Sequence, residues 1–149
     1  MTSRYELSEQ FLDRALAVIP LASQTFSKSL VNYPRGAAPL FIERGEGAYV
    51  WDIDGNRYLD CVNSLCAVTL GYCQPEIDQA VATQMKNGVS FSLPHRLETE
   101  VAELLTELIP CAESVRFGKN GTDATSAAIR IARAATGREH IAVCGYHGW

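Results

Sequence analysis

Two short stretches carry residues whose types and spacing point to chemistry. The first is Val115-Arg-Phe-Gly-Lys-Asn-Gly-Thr-Asp-Ala124, and the second is Ile141-Ala-Val-Cys-Gly-Tyr-His-Gly148. In the first, Asn120-Gly121-Thr122 precedes an alanine-rich helical pattern, so bare N–H groups and a hydroxyl stand at a helix N-terminus. Unpaired donors and the helix dipole there both favour an anion. A threonine at this place has two readings, a simple N-cap or a phosphate ligand. The aromatic loop after the next strand favours the ligand, because Tyr146 can lay its ring on a flat heteroaromatic group whose phosphate is tethered at Thr122. His147 either touches that ligand or braces its own loop. Gly118-Lys-Asn-Gly-Thr122 is not a nucleotide P-loop, in which lysine directly precedes the hydroxyl residue, and there is no Gly-x-Gly-x-x-Gly for a dinucleotide.

The elements that must position these residues follow from periodicity. Residues 114–117 and 140–144 read as strands flanking a helix that starts near Thr122, with Ala124, Ala127, Ala128, Ile131 and Ala135 on one face. Gly137 suits the left-handed position past the helix end. By the crossover rule the two strands are parallel, and both loops emerge at their carboxyl ends, where ligands bind in open α/β sheets. Upstream, residues 8–19 form an amphipathic helix closed by Pro20, and residues 21–39 an irregular connection. Residues 40–60 read as a small antiparallel sheet, with Asp54-Gly55 as a hairpin turn. Pro75 opens a covering helix that Asn87-Gly88 closes. A second covering helix runs between Pro94 and Pro110, with Leu97, Val101, Leu104, Leu105 and Leu108 in one stripe. His95 is read as a helix-entry residue and His140 as exposed.

A length of 149 residues, 47% hydrophobic and 20% charged content describe an ordinary globular chain, and a net charge of −4 carries no footprint for nucleic acid or an anionic membrane. Met1-Thr-Ser-Arg-Tyr-Glu6 lacks the layout of a secretory signal, and no apolar run has membrane-spanning length, so a cytoplasmic location is the expectation. Cys61, Cys66, Cys73, Cys111 and Cys144 include no CxxC pair, which argues against a metal site and a disulfide framework, and they read as small buried hydrophobes.

Four ordered landmarks, Ala48-Tyr-Val-Trp-Asp-Ile-Asp-Gly-Asn-Arg-Tyr-Leu-Asp60, Ser90-Phe-Ser-Leu-Pro94, Val115 to Ala124 and Gly145-Tyr-His-Gly148, resemble those of the class III pyridoxal-phosphate aminotransferases. The resemblance is to the glutamate-1-semialdehyde 2,1-aminomutase-like branch and covers nearly the whole chain. It implies an α/β fold, the N-terminal part of a fold-type-I PLP-dependent transferase. Residues 1–72 would be an N-terminal segment with helix, loop and small antiparallel sheet, and residues 73–149 the first part of the large three-layer PLP-binding domain. It also implies a homodimer, with pyridoxal 5'-phosphate as cofactor and a small-molecule amino donor and carbonyl acceptor as partners. Gly121 and Thr122 would bind the phosphate, Asn120 would shape the turn, and Tyr146 would stack on the pyridine with His147 beside it.

The lysine that attaches the cofactor and the carboxylate that keeps its pyridine nitrogen protonated are expected beyond Trp149, since Lys28, Lys86 and Lys119 stand in the wrong contexts. The chain therefore reads as catalytically inactive on its own. Two positions depart from the aminomutase proper. Its carboxylate-gripping arginine is matched by Lys28, which attracts as a point charge without the bidentate fork. Its tryptophan near the end of the 58–65 segment is matched by Leu65. These departures imply an aminotransferase acting on another carbonyl, with a sugar among those open. A phosphate-ligand binding module without chemistry, and an incompetent fragment, are the alternatives.

Overall fold

The computed structural model describes residues 4–145. The chain divides into two compact units, residues 1–89 and 90–149.

In the first unit, helix α1 (Glu6–Leu16) buries Ser8, Leu12 and Ala15, spaced at i, i+4 and i+7 on one face. Its N-terminus is capped from a distance. The carboxylate of Asp54, in the hairpin turn, accepts from the N–H groups of Leu7 at 2.7 Å and Ser8 at 3.0 Å, and from the Ser8 hydroxyl at 2.5 Å. Phe11 packs edge-on against Phe41 with ring centroids 5.0 Å apart. Two 3-10 turns, Pro20–Ala22 and Phe26–Lys28, interrupt the otherwise irregular connection that follows.

The antiparallel sheet forms as the alternating pattern predicts, from β1 (Ile42–Glu46), β2 (Tyr49–Asp52) and β3 (Arg57–Leu59) in the order β1-β2-β3. The register shifts between Ile42 and Arg44, a bulge at the edge of the sheet. Gly55, at φ 82°, turns the β2–β3 hairpin. Buried Asp52 braces that turn by accepting from the Asn56 N–H at 2.7 Å, the Asn56 side-chain amide at 2.9 Å and the Tyr58 hydroxyl at 2.8 Å. Burial and the bonds to Tyr5 and Asp52 push the Tyr58 phenol well above its ordinary range.

Beyond β3 the chain enters a four-residue turn, α2 (Asn63–Cys66), wound left-handed: φ is 55°, 47°, 58° and 67° at Asn63, Ser64, Leu65 and Cys66. Such winding costs roughly 1–2 kcal/mol per residue outside glycine. The Asp60 carboxylate opposes it, accepting from the N–H groups of Val62 at 2.9 Å, Asn63 at 3.0 Å and Ser64 at 3.3 Å, and from the Tyr72 hydroxyl at 2.6 Å. Bonds to a charged acceptor contribute about 1.5–3 kcal/mol each, so four of them match the strain in size. Tyr72 is anchored in turn by paired backbone bonds with Gly47, 2.9 and 2.8 Å long. Helix α3 (Pro75–Asn87) then opens on Pro75, with the Gln74 side chain accepting from the Ile77 N–H at 3.0 Å, and closes at Gly88, φ 100°.

The second unit contains α4 (Arg96–Leu108) and α5 (Gly121–Thr136). His95 caps α4 as the sequence predicts, its Nδ1 accepting from the Leu97 N–H at 3.2 Å while Glu98 accepts from the His95 N–H at 3.1 Å. Two expectations are corrected. Segments 114–117 and 140–144 form no β-ladder among the described residues. A strand exists only through its neighbour's hydrogen bonds, and neither segment has a paired neighbour among the described residues. The five cysteines are exposed rather than buried, and the stripes of α4 and α5 are open as well, with Leu104 at 52% and Ile131 at 68% exposure. The apolar faces that would enclose such residues have no packed layer over them.

Candidate functional site

The candidate site is the first turn of α5. Asn120 is its N-cap, extended at φ −127° and ψ 160°, and its carbonyl accepts from the N–H groups of Asp123 at 3.1 Å and Ala124 at 3.3 Å. The Asp123 carboxylate folds back to accept from the Asn120 N–H at 3.0 Å. These bonds use the donors of residues 120, 123 and 124. The N–H groups of Gly121 and Thr122, the first two of the helix, have no carbonyl a turn earlier to reach, and they lie at the positive end of a 16-residue helix.

Gly121 contributes by what it lacks. A β-carbon placed there would meet nothing within 4 Å, so the backbone faces open space that a ligand can fill directly. Thr122 and Gly121 are both exposed, and the Thr122 hydroxyl makes no bond to another described residue. Thr125, three residues further on, turns its hydroxyl back to the carbonyls of Gly121 and Thr122, each at 3.1 Å, and so commits its one hydroxyl proton within the helix. Two amides, one hydroxyl and a side-chain-free approach form a donor set suited to a phosphate dianion. Gly137, at φ 67°, ends the helix with its N–H on the Arg133 carbonyl at 2.9 Å.

The other sequence-predicted site residues fall elsewhere. Tyr146 and His147 lie outside the described residues. Lys28 ends the second 3-10 turn of the first unit, exposed and without an ion pair to a described residue. Leu65 is the third residue of the left-handed turn and 45% exposed. Sequence reasoning did not single out Asp60 or Tyr72, whose side chains hold that turn. The Tyr72 hydroxyl, and then the three backbone N–H groups, keep the Asp60 carboxyl below its usual range against the opposing effect of burial, and the same bond raises the Tyr72 phenol. The only local signal was an aspartate shortly before Asn63-Ser64, a common turn composition. No cluster of three or more metal-ligating side chains exists among the described residues, and no described helix is long and apolar enough to cross a membrane.

The model of the class-III aminotransferases matches residues 32–149. The chain is 44% identical to a glutamate-1-semialdehyde 2,1-aminomutase of Chloroflexus aggregans, over 99% of this chain and 34% of that protein. It is also 44% identical to a 3-aminobutyryl-CoA aminotransferase of Cloacimonas acidaminovorans, over 79% of this chain and 29% of that one. Among solved structures, the FumI protein of Sphingopyxis sp. MTA144, in its PLP internal aldimine form, superposes with a TM-score of 0.81 at 35% identity, covering 87% of this chain and 31% of that chain. The chain spans about a third of the length of the curated relatives it matches.

Proposed function

This chain belongs to the class-III aminotransferase family, and from that membership we propose that it supplies the phosphate-binding corner of a PLP-dependent enzyme that moves an amino group between an amine or amino acid and an aldehyde or ketone. The observation that carries the proposal is the pair of donors at Gly121 and Thr122 that no described residue accepts from, with clear space above Gly121.

In this reading Asn120 shapes the turn by committing its own N–H to Asp123. The Gly121 and Thr122 amides and the Thr122 hydroxyl hold the phosphate, Tyr146 covers the ring, and His147 stands beside it. Bound there, PLP supplies the electron sink on which the amine chemistry depends. The chain's own residues bind and orient it. The lysine that attaches the cofactor and the carboxylate on its pyridine nitrogen are assigned to the whole protein outside these residues, so the isolated chain is proposed to be inactive in amine transfer. Lys28 is proposed to attract a substrate carboxylate, as a point charge rather than a fork. We place residues 1–72 in a small domain and 73–149 in the cofactor-binding domain of a cytoplasmic homodimer.

The proposal is tested in the full-length protein by replacing Thr122 with alanine and titrating PLP by its visible absorbance. Loss of a hydroxyl bond to a charged group is worth about 1.5–3 kcal/mol, so affinity falls at least roughly tenfold. Unchanged affinity removes Thr122 from the site.

A further inference from the structure

Residues 63–66 form the longest run of positive-φ residues other than glycine among the described residues, and nothing in their composition favours it beyond Asn63. The backbone switches hand at one point. Val62 is right-handed at φ −92° and ψ −20°, and Asn63 is left-handed at φ 55°. A right-handed residue followed by a left-handed one turns successive N–H groups toward a common point and forms a concavity for an anion. Here the chain's own carboxylate occupies it, at 2.9, 3.0 and 3.3 Å from the nitrogens of Val62, Asn63 and Ser64. The second carboxylate oxygen takes both the Ser64 N–H and the Tyr72 hydroxyl, the latter at 2.6 Å. The Tyr72 ring is held over Gly45, where a β-carbon would stand 2.5 Å from its Cγ, and the Tyr72 backbone is bridged to Gly47. The clamp therefore reaches from the left-handed turn to the edge of the β-sheet.

We propose that Asp60 and Tyr72 are positioning residues: the carboxylate fills an amide nest that would otherwise be an anion site, and the phenol fixes the carboxylate, so that Leu65 is presented in one conformation at the end of the sheet. The match of Leu65 to the tryptophan position of the aminomutase rests on the aminotransferase reading; that the clamp holds the turn does not.

The test is amide hydrogen exchange on the full chain. Asp60→Ala lowers protection at Val62, Asn63 and Ser64 at least tenfold while the β1–β2–β3 ladder amides keep theirs, and added acetate restores the three by entering the vacated nest. Unchanged protection at these amides, or failure of acetate to restore them beside an intact ladder, overturns the proposal. If Asp60→Ala also exposes the ladder, Tyr72→Phe decides. It is expected to weaken the same three amides and to move the Asp60 titration upward, and no change in either overturns the proposal. Neither readout involves the cofactor, so a failed clamp and a failed phosphate site are told apart.

Discussion

Gly45 and Tyr72 show how a single hydrogen atom in place of a side chain governs a contact 27 positions away. Gly45 has no need of positive φ, so its requirement is space alone: an added β-carbon would lie 2.5, 2.7 and 2.9 Å from three ring atoms of Tyr72. Gly45→Ala is therefore expected to destabilise the first unit by about 1–3 kcal/mol, the range for overpacking. Gly47, at φ 55° with nothing within 4 Å, fails for the opposite reason, since alanine there meets backbone strain in open space. Thermal unfolding separates the two. Tyr72→Ala in the Gly45→Ala background relieves the clash and narrows the difference, whereas in the Gly47→Ala background it brings no relief. Equal responses in both backgrounds would contradict the steric account. At this scale the sequence was least informative, because nothing local marks Gly45 as the residue beneath a tyrosine ring.

Element ends were legible where the signal is local. Pro75 and Gly88 bound α3, His95 opens α4, and Gly137 closes α5, all as their positional chemistry requires. The Asp54-Gly55 turn was equally plain, yet its aspartate does more than turn the chain. It caps a helix 46 residues earlier in sequence, a partnership that no window on the sequence contains. The left-handed turn at 63–66 escaped for a related reason, since its conformation is imposed by Asp60 and Tyr72 rather than by glycine. The strands expected at 114–117 and 140–144 carry the right composition without a ladder, because pairing belongs to the sheet and not to the segment. Removing the cap by Asp54→Ala is expected to cost about 1 kcal/mol near neutral pH. Burial raises the Asp54 carboxyl, but the bonds from the Ser8 hydroxyl and the Leu7 and Ser8 amides outweigh it and leave it below the ordinary value. A depressed carboxylate contributes stability above the unfolded value, near 4, and loses it as pH falls toward the folded one. The gap between wild type and Asp54→Ala, measured by thermal melts from pH 7 to pH 3, should close over the acidic end. A gap that stays constant would show that the carboxylate charge is not involved.

For the whole molecule, the open faces of α4 and α5 matter most. Leu97, Val101, Leu104 and Leu108 stand at 40–66% exposure along one helix stripe, a pattern that marks a surface other protein covers. The 149-residue chain is expected to bind the dye ANS strongly, and the full-length protein weakly. Equal, weak binding by both would contradict the exposure of these faces. The helix start at Asn120-Gly121-Thr122 and the family were legible in the sequence, while the substrate was not, since neither Lys28 nor Leu65 carries enough chemistry to name one. The central claim is that the first turn of α5 grips a phosphate. Its most direct test compares PLP with pyridoxal, which lacks the phosphate, for binding to the full-length protein and its Thr122→Ala variant. The account predicts that the substitution weakens PLP at least roughly tenfold and leaves pyridoxal unchanged. Equal losses for both ligands, or none for PLP, would contradict it.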